Sequence, residues 1–272
     1  MRYVMSLLGW IDKLLHGNPA DFKFAVGLVS DCGLVRKDNQ DSLLALPEAG
    51  FFCVADGMGG GKGGALASQW ICEAFAEAIR VSGFSTLPGD RRKALIDGAL
   101  QEVNQRIRTY ANEQGFRSMG STVVALATDP SNPAQLALIH AGDSRIYRMR
   151  RGELQLLTSD HTVGGELSRK THSRMESDDL KSRRNPLSHI LTRAVGTEFR
   201  ARPDWQTTDM RLGDRFLLCS DGVHDMLSDA EIAALLRSRC APDEIVRRVE
   251  KAVVAAGAGD NYSMICLEVR RR

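Results

Sequence analysis

Four aspartates stand where apolar runs end or begin, and that placement is the first chemical feature of the chain. Phe51-Phe52-Cys53-Val54-Ala55 leads into Asp56-Gly57, Ala137-Leu138-Ile139-His140-Ala141-Gly142 into Asp143, and Phe216-Leu217-Leu218-Cys219-Ser220 into Asp221-Gly222. Gly259-Asp260-Asn261 precedes Tyr262-Ser263-Met264-Ile265-Cys266. A carboxylate at the tip of a buried strand loses several kcal/mol of hydration unless it is paired or bound to a metal. Several brought together repel one another, and a shared divalent cation is the natural neutraliser. An oxygen-only donor set favours Mg²⁺ or Mn²⁺ over zinc, which prefers His and Cys. Gly57 and Gly222, without a Cβ, let backbone come close to such ions. One Asp-Gly at a strand end also reads as a turn cap; four in one chain make four independent caps the poorer explanation. Separately, Ser30–Ser42 (SDCGLVRKDNQDS) places Arg36 among polar residues between two strand candidates. A guanidinium there can hold a phosphate through two hydrogen bonds; the alternative is an ordinary surface arginine.

The elements that must position these residues follow from periodicity. Short β-type runs are expected at Phe22–Ser30, Ser42–Leu46 and Phe51–Ala55, each broken by Gly, Asp or Pro. Helices are expected over Ala65–Val81 and Asp90–Glu113, where Leu95, Ile96, Leu100, Val103 and Ile107 fall on one face. Four further strands, Met119–Thr128, Ala134–His140, Arg145–Met149 and Glu153–Leu157, read as an antiparallel meander with a turn at Arg150-Arg151-Gly152. Thr162–Ser188 is polar, mixed in charge and without clear period, which predicts a surface flap. Strands return at Asp204–Asp209, Arg215–Cys219 and Tyr262–Val269, with helices at Asp229–Arg237 and Pro242–Ala255. Helices clustered between groups of strands indicate an α+β fold rather than a regular βαβ alternation.

With 43% hydrophobic and 26% charged residues and a net charge of +2, the composition is that of a globular domain with no basic bias toward nucleic acid. The six cysteines include no C-x-x-C pair and several sit in apolar runs, which reads as reduced and cytoplasmic. No apolar stretch approaches the roughly 20 residues of a membrane span, and the start lacks a signal-peptide pattern. Residues 1–20 form a separate amphipathic extension: Val4, Leu7, Leu8, Ile11, Leu14 and Leu15 recur at helical spacing until Gly17 and Pro19. Packing on the domain formed by residues 21–272 is its expected role, with membrane-surface or partner docking as the alternative.

With these residues in hand, the chain resembles the metal-dependent Ser/Thr protein phosphatases of the type 2C (PPM) family, in its bacterial branch. The similarity runs in order through Ser30-Asp31-Cys32-Gly33-Leu34-Val35-Arg36, Asn39-Gln40-Asp41-Ser42, Asp56-Gly57-Met58-Gly59-Gly60 and Gly120-Ser121-Thr122. It continues through Ala141-Gly142-Asp143-Ser144-Arg145, Leu157-Thr158-Ser159-Asp160-His161, Leu191-Thr192-Arg193-Ala194-Val195-Gly196, Ser220-Asp221-Gly222 and Gly259-Asp260-Asn261-Tyr262-Ser263, covering about residues 22–270. The resemblance implies a four-layer α-β-β-α sandwich with two central antiparallel sheets and a metal cluster at one edge. It implies that Asp56, the backbone carbonyl of Gly57, Asp221 and Asp260 hold two Mn²⁺ or Mg²⁺ ions, and that Asp143 and Asp225 match positions for a third, weaker ion. Asp41 would support the metal-bound waters and Arg36 would clamp the phosphate.

The implied reaction is hydrolysis of phosphoserine and phosphothreonine in proteins. A water bridging two cations about 3.5–4 Å apart attacks phosphorus in line. The metals and Arg36 stabilise charge on the phosphoryl oxygens, and no phosphoenzyme forms. Implied substrates are phosphoproteins made by a Ser/Thr kinase, and the chain is expected to be a monomer. Two departures stand out. Met58 occupies the position where many animal members have a histidine proposed as general acid, a substitution common in bacterial members, and the flap sequence is unusual.

Rival readings are weaker. Gly59, Gly61 and Gly64 satisfy G-x-G-x-x-G, but a helix leading into another helix follows, and Asp56 would face a pyrophosphate of its own sign. A non-catalytic phosphopeptide-binding module would be favoured by a lost ligand, and every ligand aspartate is present. His140 and His161 are expected to be satisfied structural residues, and His224, three residues after Asp221, is not assigned to catalysis.

Overall fold

The structure, a computed structural model, describes residues 22–59, 62–171 and 185–271. The amphipathic segment 1–20 and much of the expected flap therefore lie outside the described residues. In chain order the elements begin with β1 (Phe22–Asp31), β2 (Asp41–Leu46), β3 (Phe51–Met58), α1 (Lys62–Ser82) and α2 (Gly89–Gln114). Then come β4 (Gly120–Ser121), β5 (Val123–Thr128), β6 (Gln135–Ala141), β7 (Arg145–Arg150), β8 (Glu153–Leu156) and α3 (Val163–Lys170). The last third comprises β9 (Asp204–Asp209), β10 (Arg215–Cys219), α4 (Asp221–His224), α5 (Asp229–Leu236), α6 (Pro242–Ala255) and β11 (Tyr262–Arg271).

Two antiparallel sheets result. One has the order β1-β11-β10-β7-β8; the other has β2-β3-β5-β6-β9, with β4 paired to β3. The near-continuous apolar runs of β3, β10 and β11 exist because each of these strands is buried on both faces, successive side chains pointing to opposite sides. Phe51, Cys53 and Ala55 pack under α1 and α2 with Ile71, Phe75, Leu100 and Ile107. Phe52 and Val54 turn inward and meet Phe216, Leu218, Ile265 and Leu267 of the other sheet. Leu217, Cys219, Met264 and Cys266 face the opposite way, toward Ile232, Ile245 and Val249 of α5 and α6. Three apolar layers between four layers of secondary structure make the α-β-β-α sandwich, as the motif order implied.

The expected four-strand meander does not form. β5 pairs with β6 and β7 with β8, but between β6 and β7 the chain passes from one sheet to the other. Gly142 makes that corner at φ +112°, where an added Cβ would lie 2.6 Å from Thr122. The single strand expected over Met119–Thr128 is two, because the Asp56 N–H donates to Thr122 Oγ1 (3.1 Å) instead of to a main-chain carbonyl. Thr122 N–H still donates to Asp56 O at 2.8 Å, so the register survives the break. Part of the expected flap is a helix: α3 is capped by Thr162, whose Oγ1 accepts the Gly165 N–H at 3.0 Å. Its eight residues include two glycines, too short and too glycine-rich a stretch to show a period.

Candidate active site

The ends of β3 and β10, the start of β11 and the β6–β7 corner open on one cleft of about 320 Å³. Its walls include Arg36, Asp56, Gly57, Asp143, Asp221 and Asp260, together with Gln40, Met58, Thr122 and His189. Asp221 opens α4 directly after β10, and Asp260 sits two residues ahead of β11. Asp41 starts β2 and stands opposite Asp56 in the ladder. Asp225 caps α4 and lines an adjoining hollow that shares Asp143 and His189 with the cleft. The structure thus brings all eight sequence-derived site positions to one edge of the sandwich.

Backbone crowding explains the two glycines that follow the aspartates. A Cβ on Gly57 would lie 2.0 Å from Gly64 O and 2.6 Å from Gln40 O; on Gly222 it would lie 2.0 Å from Asn261 O. Only glycine lets these chain segments close on each other, and the closure sets the separation between the acidic side chains.

The charges are held under strain. Burial, then the neighbouring charges of Asp41, Asp221, Asp143 and Asp260, push the Asp56 carboxyl well above the usual carboxylate range. Burial and Asp143, Asp225, Asp260 and Asp41 do the same to Asp221. Burial raises Asp41 to about 6 against the opposing hydrogen bonds of Ser220 and Ser263, and raises Asp143 to about 6 although the charge of His224 works against it. Asp225 differs: burial pushes it up, but the hydrogen bond and charge of His224, with His189 and Arg145, bring it below the ordinary value. On the cationic side, Arg36 Nη2 donates to Asp260 Oδ2 at 2.6 Å.

Against this geometry, the sequence model of protein phosphatase 2C matches residues 35–256. The chain belongs to that family. Among curated relatives, the Ser/Thr protein phosphatase PstP of Mycobacterium tuberculosis is 33% identical over 241 residues, 88% of this chain and 44% of PstP. The chain therefore spans less than half the length of that relative. Among solved structures, PppA, described as a key regulatory component of T6SS in Pseudomonas aeruginosa, superposes with a TM-score of 0.79 at 32% identity, covering 91% of this chain and 98% of that one. The catalytic domain of PstP in complex with two manganese ions superposes at 0.76 with 31% identity, covering 92% and 99% of the two chains.

In this type 2C chain, several positioning residues lie inside the matched motifs but carry no charge that would mark them in the sequence. Asn261 ties down the Arg36 loop: its Nδ2 donates to Cys32 O and Asp38 O, both at 3.0 Å, and its Oδ1 accepts the Gln40 N–H at 2.9 Å. Ser220 Oγ donates to Asp41 Oδ2 at 2.7 Å and accepts the Ser263 N–H at 2.9 Å, linking β2, β10 and β11 beneath the acids. Thr122 Oγ1 meets Ser144 Oγ at 2.7 Å, joining the Asp56 strand to the Asp143 corner.

The histidines divide. His161 is satisfied: Gly142 N–H donates to its Nδ1 at 3.2 Å, so Nε2 carries the proton and donates to Asp204 Oδ2 at 3.1 Å. His140, stacked on it at 4.4 Å, is buried with no hydrogen-bond partner at either nitrogen, contrary to the expectation for it. Burial, then the adjacent His161, lower its pKa to about 4 and keep it neutral. The ligand atoms of His140, His161 and Asp204 lie within 4.8 Å of one another, but the tautomer set by Gly142 leaves a proton on His161 Nε2, the nitrogen that faces Asp204, so the group reads as a hydrogen-bonded pair beside a neutral ring. His224 Nε2 lies 3.1 Å from the Asp143 carbonyl and so steadies the corner from α4.

Proposed function

We propose that residues 21–272 form a catalytic unit that hydrolyses phosphoserine and phosphothreonine esters of proteins with two Mn²⁺ or Mg²⁺ ions and a weaker third. The observation that carries this reading is the meeting of Asp56, Asp221, Asp260 and Arg36 on one cleft. The residues fit hard cations. Their donors are all oxygen, their carboxyls are raised by burial and then by mutual repulsion, and the buried Asp41 Oδ1 has no hydrogen-bond partner, as expected of an acceptor that serves water at the site. The PstP catalytic domain with two manganese ions supports the same stoichiometry here.

Asp56, the Gly57 carbonyl, Asp221 and Asp260 would hold the ion pair, with Asp143 and Asp225 at the third position. Bound there, the ions supply an acidified water for in-line attack and neutralise charge on the ester. Arg36 reaches into the cleft to bind and orient the phosphate. Asp41, fixed by Ser220, accepts hydrogen bonds from water at the cleft floor. Met58 has no proton to donate, so protonation of the leaving alcohol falls to water. The sandwich behind these residues keeps their separations fixed, so catalysis rests on positioning and electrostatics and needs no phosphoenzyme.

No described helix is long and apolar enough to cross a membrane, and the six cysteines are free. Free cysteines fit a reducing compartment, and the reading places the chain in the cytoplasm, as a monomer acting on substrates of a Ser/Thr kinase. Hydrolysis of p-nitrophenyl phosphate and of a phosphothreonine peptide, each with Mn²⁺ and with EDTA, tests the reading. Turnover of both with Mn²⁺ alone is expected; no metal-dependent turnover of either would overturn it.

A further inference from the structure

Exposed aliphatic residues stand next in sequence to residues of the acidic cleft. Leu34 and Val35, the two residues before Arg36, are 67% and 69% exposed. Ile190, between the cleft residues His189 and Leu191, is 49% exposed. Exposed apolar surface rimmed by polar groups marks interaction sites, and Leu34–Val35 and Ile190–Leu191 each adjoin a polar residue of the cleft, Arg36 and His189. These are not frayed positions. Leu34 N–H donates to Ala258 O at 3.0 Å, and Ile190 O accepts the Val163 N–H at 2.9 Å. Asn261 grips the chain on both sides of Leu34 and Val35, at Cys32 and Asp38. Hydrogen bonds thus fix the backbone at both aliphatic pairs, one next in sequence to Arg36 and the other including Leu191 of the cleft wall.

We propose that Leu34–Val35 and Ile190–Leu191 bind the side chains next to the phosphorylated residue, so that the preferred substrate is a phosphopeptide with aliphatic or aromatic residues close to its phosphothreonine or phosphoserine. The inference rests on the phosphatase reading above. An extended peptide advances about 3.3 Å per residue with side chains on alternating sides. A peptide whose phosphate reaches Arg36 therefore carries its nearest neighbours, within about two residues, past the rim. Arg36 is adjacent to one pair in sequence, and the other pair flanks the segment that sends His189 into the cleft, so phosphate binding and side-chain binding share one surface.

The test compares matched phosphothreonine peptides that carry Leu or Val, Ser, or Asp at the two positions on either side of the phosphoresidue, with p-nitrophenyl phosphate as a substrate that has no flanking residues. The expected result is a kcat/KM about tenfold higher for the aliphatic peptide than for the serine peptide, the size of effect one aliphatic group makes in a shallow apolar site. In Leu34→Ser and Ile190→Ser the ratio between the two peptides should fall toward one. That ratio is internal to each variant, so a smaller fraction of folded protein does not disturb it. A flat peptide profile alongside brisk p-nitrophenyl phosphate turnover would overturn this inference alone, as would a preference that survives in both variants. Absence of turnover with every substrate would overturn the phosphatase reading as well.

Discussion

Arg36 and Asp260, 224 residues apart in sequence, meet at 2.6 Å across the cleft. The pair joins the guanidinium proposed to bind phosphate to a carboxylate proposed to bind metal. Both side chains are more than a third exposed, so the contact itself adds little stability. Its expected consequence is competition: a cation held by Asp260 would compete with Arg36 for the carboxylate and would leave the guanidinium available to an ester.

Arg36→Ala should therefore raise KM for a phosphopeptide about tenfold or more with a smaller change in kcat, since ground-state phosphate binding is lost. Arg36→Lys should recover only part of the loss, a point charge replacing a two-pronged donor. Steady-state kinetics check both variants. Unchanged KM and kcat in Arg36→Ala would remove this residue from the site.

Asp56→Asn and Asp221→Asn should each abolish metal-dependent turnover while far-UV circular dichroism stays unchanged. Without metal and at alkaline pH, where the buried carboxyls are ionised, each variant should melt higher than the parent protein, because one buried charge among like charges is removed. For a domain of this size each kcal/mol of relief corresponds to about 2–4 °C in Tm. A lower melting temperature in EDTA would contradict the electrostatic picture.

The pH dependence has a definite sign. Asp41 and Asp143 titrate near 6 in the folded protein, above the value of about 4 for an unfolded aspartate. A group whose folded pKa is raised stabilises the fold fully below its unfolded pKa and loses that contribution as pH rises through the folded value. The metal-free protein should thus lose stability from these groups between about pH 4 and pH 6. Bound Mn²⁺ offsets the loss and binds better once the carboxyls are ionised. Thermal scans should show a larger Tm gain from Mn²⁺ over EDTA at pH 7.5 than at pH 5; equal gains would contradict the sign.

Glycine substitutions separate close backbone approach from mere flexibility. In Gly222→Ala the new Cβ would press on Asn261 O, 2.0 Å away, and shift the side chain that holds Cys32, Asp38 and Gln40. Turnover and Mn²⁺ affinity should both fall by more than about tenfold. Gly98, inside α2 with nothing within 4 Å of an added Cβ, should accept alanine with a gain of about 0.5–1 kcal/mol. Equal behaviour of the two variants in urea melts and in the phosphatase assay would rule out the crowding argument.

Where the sequence was informative, one property of a residue settled its place. The run Phe51–Ala55 is apolar at every position because β3 has a helix layer on one side and a sheet on the other, and the Asp-Gly steps mark where such strands run out. The β6–β7 junction is not legible in the sequence, because a strand, a glycine and a second strand look alike whether the chain turns back in one sheet or crosses to the other. The crossing depends on Gly142 at positive φ against Thr122, a tertiary contact. Asn261, Ser220 and Thr122 lay within recognisable motifs, yet their roles come from hydrogen bonds to segments distant in sequence. The place of His140 at a strand end suggests a satisfied residue, but whether a buried imidazole has a partner is decided by its neighbours in space.

On the proposed reading, Asp56, Asp221 and Asp260 jointly hold the ions that make hydrolysis possible. Titration of metal-free protein with Mn²⁺ by calorimetry, alongside Asp221→Asn, addresses it most directly. Two tight ions per chain and a weaker third are expected for the parent protein, with tight binding lost in the variant in step with its turnover. Absence of saturable Mn²⁺ binding in the parent, or full binding in Asp221→Asn, would contradict it.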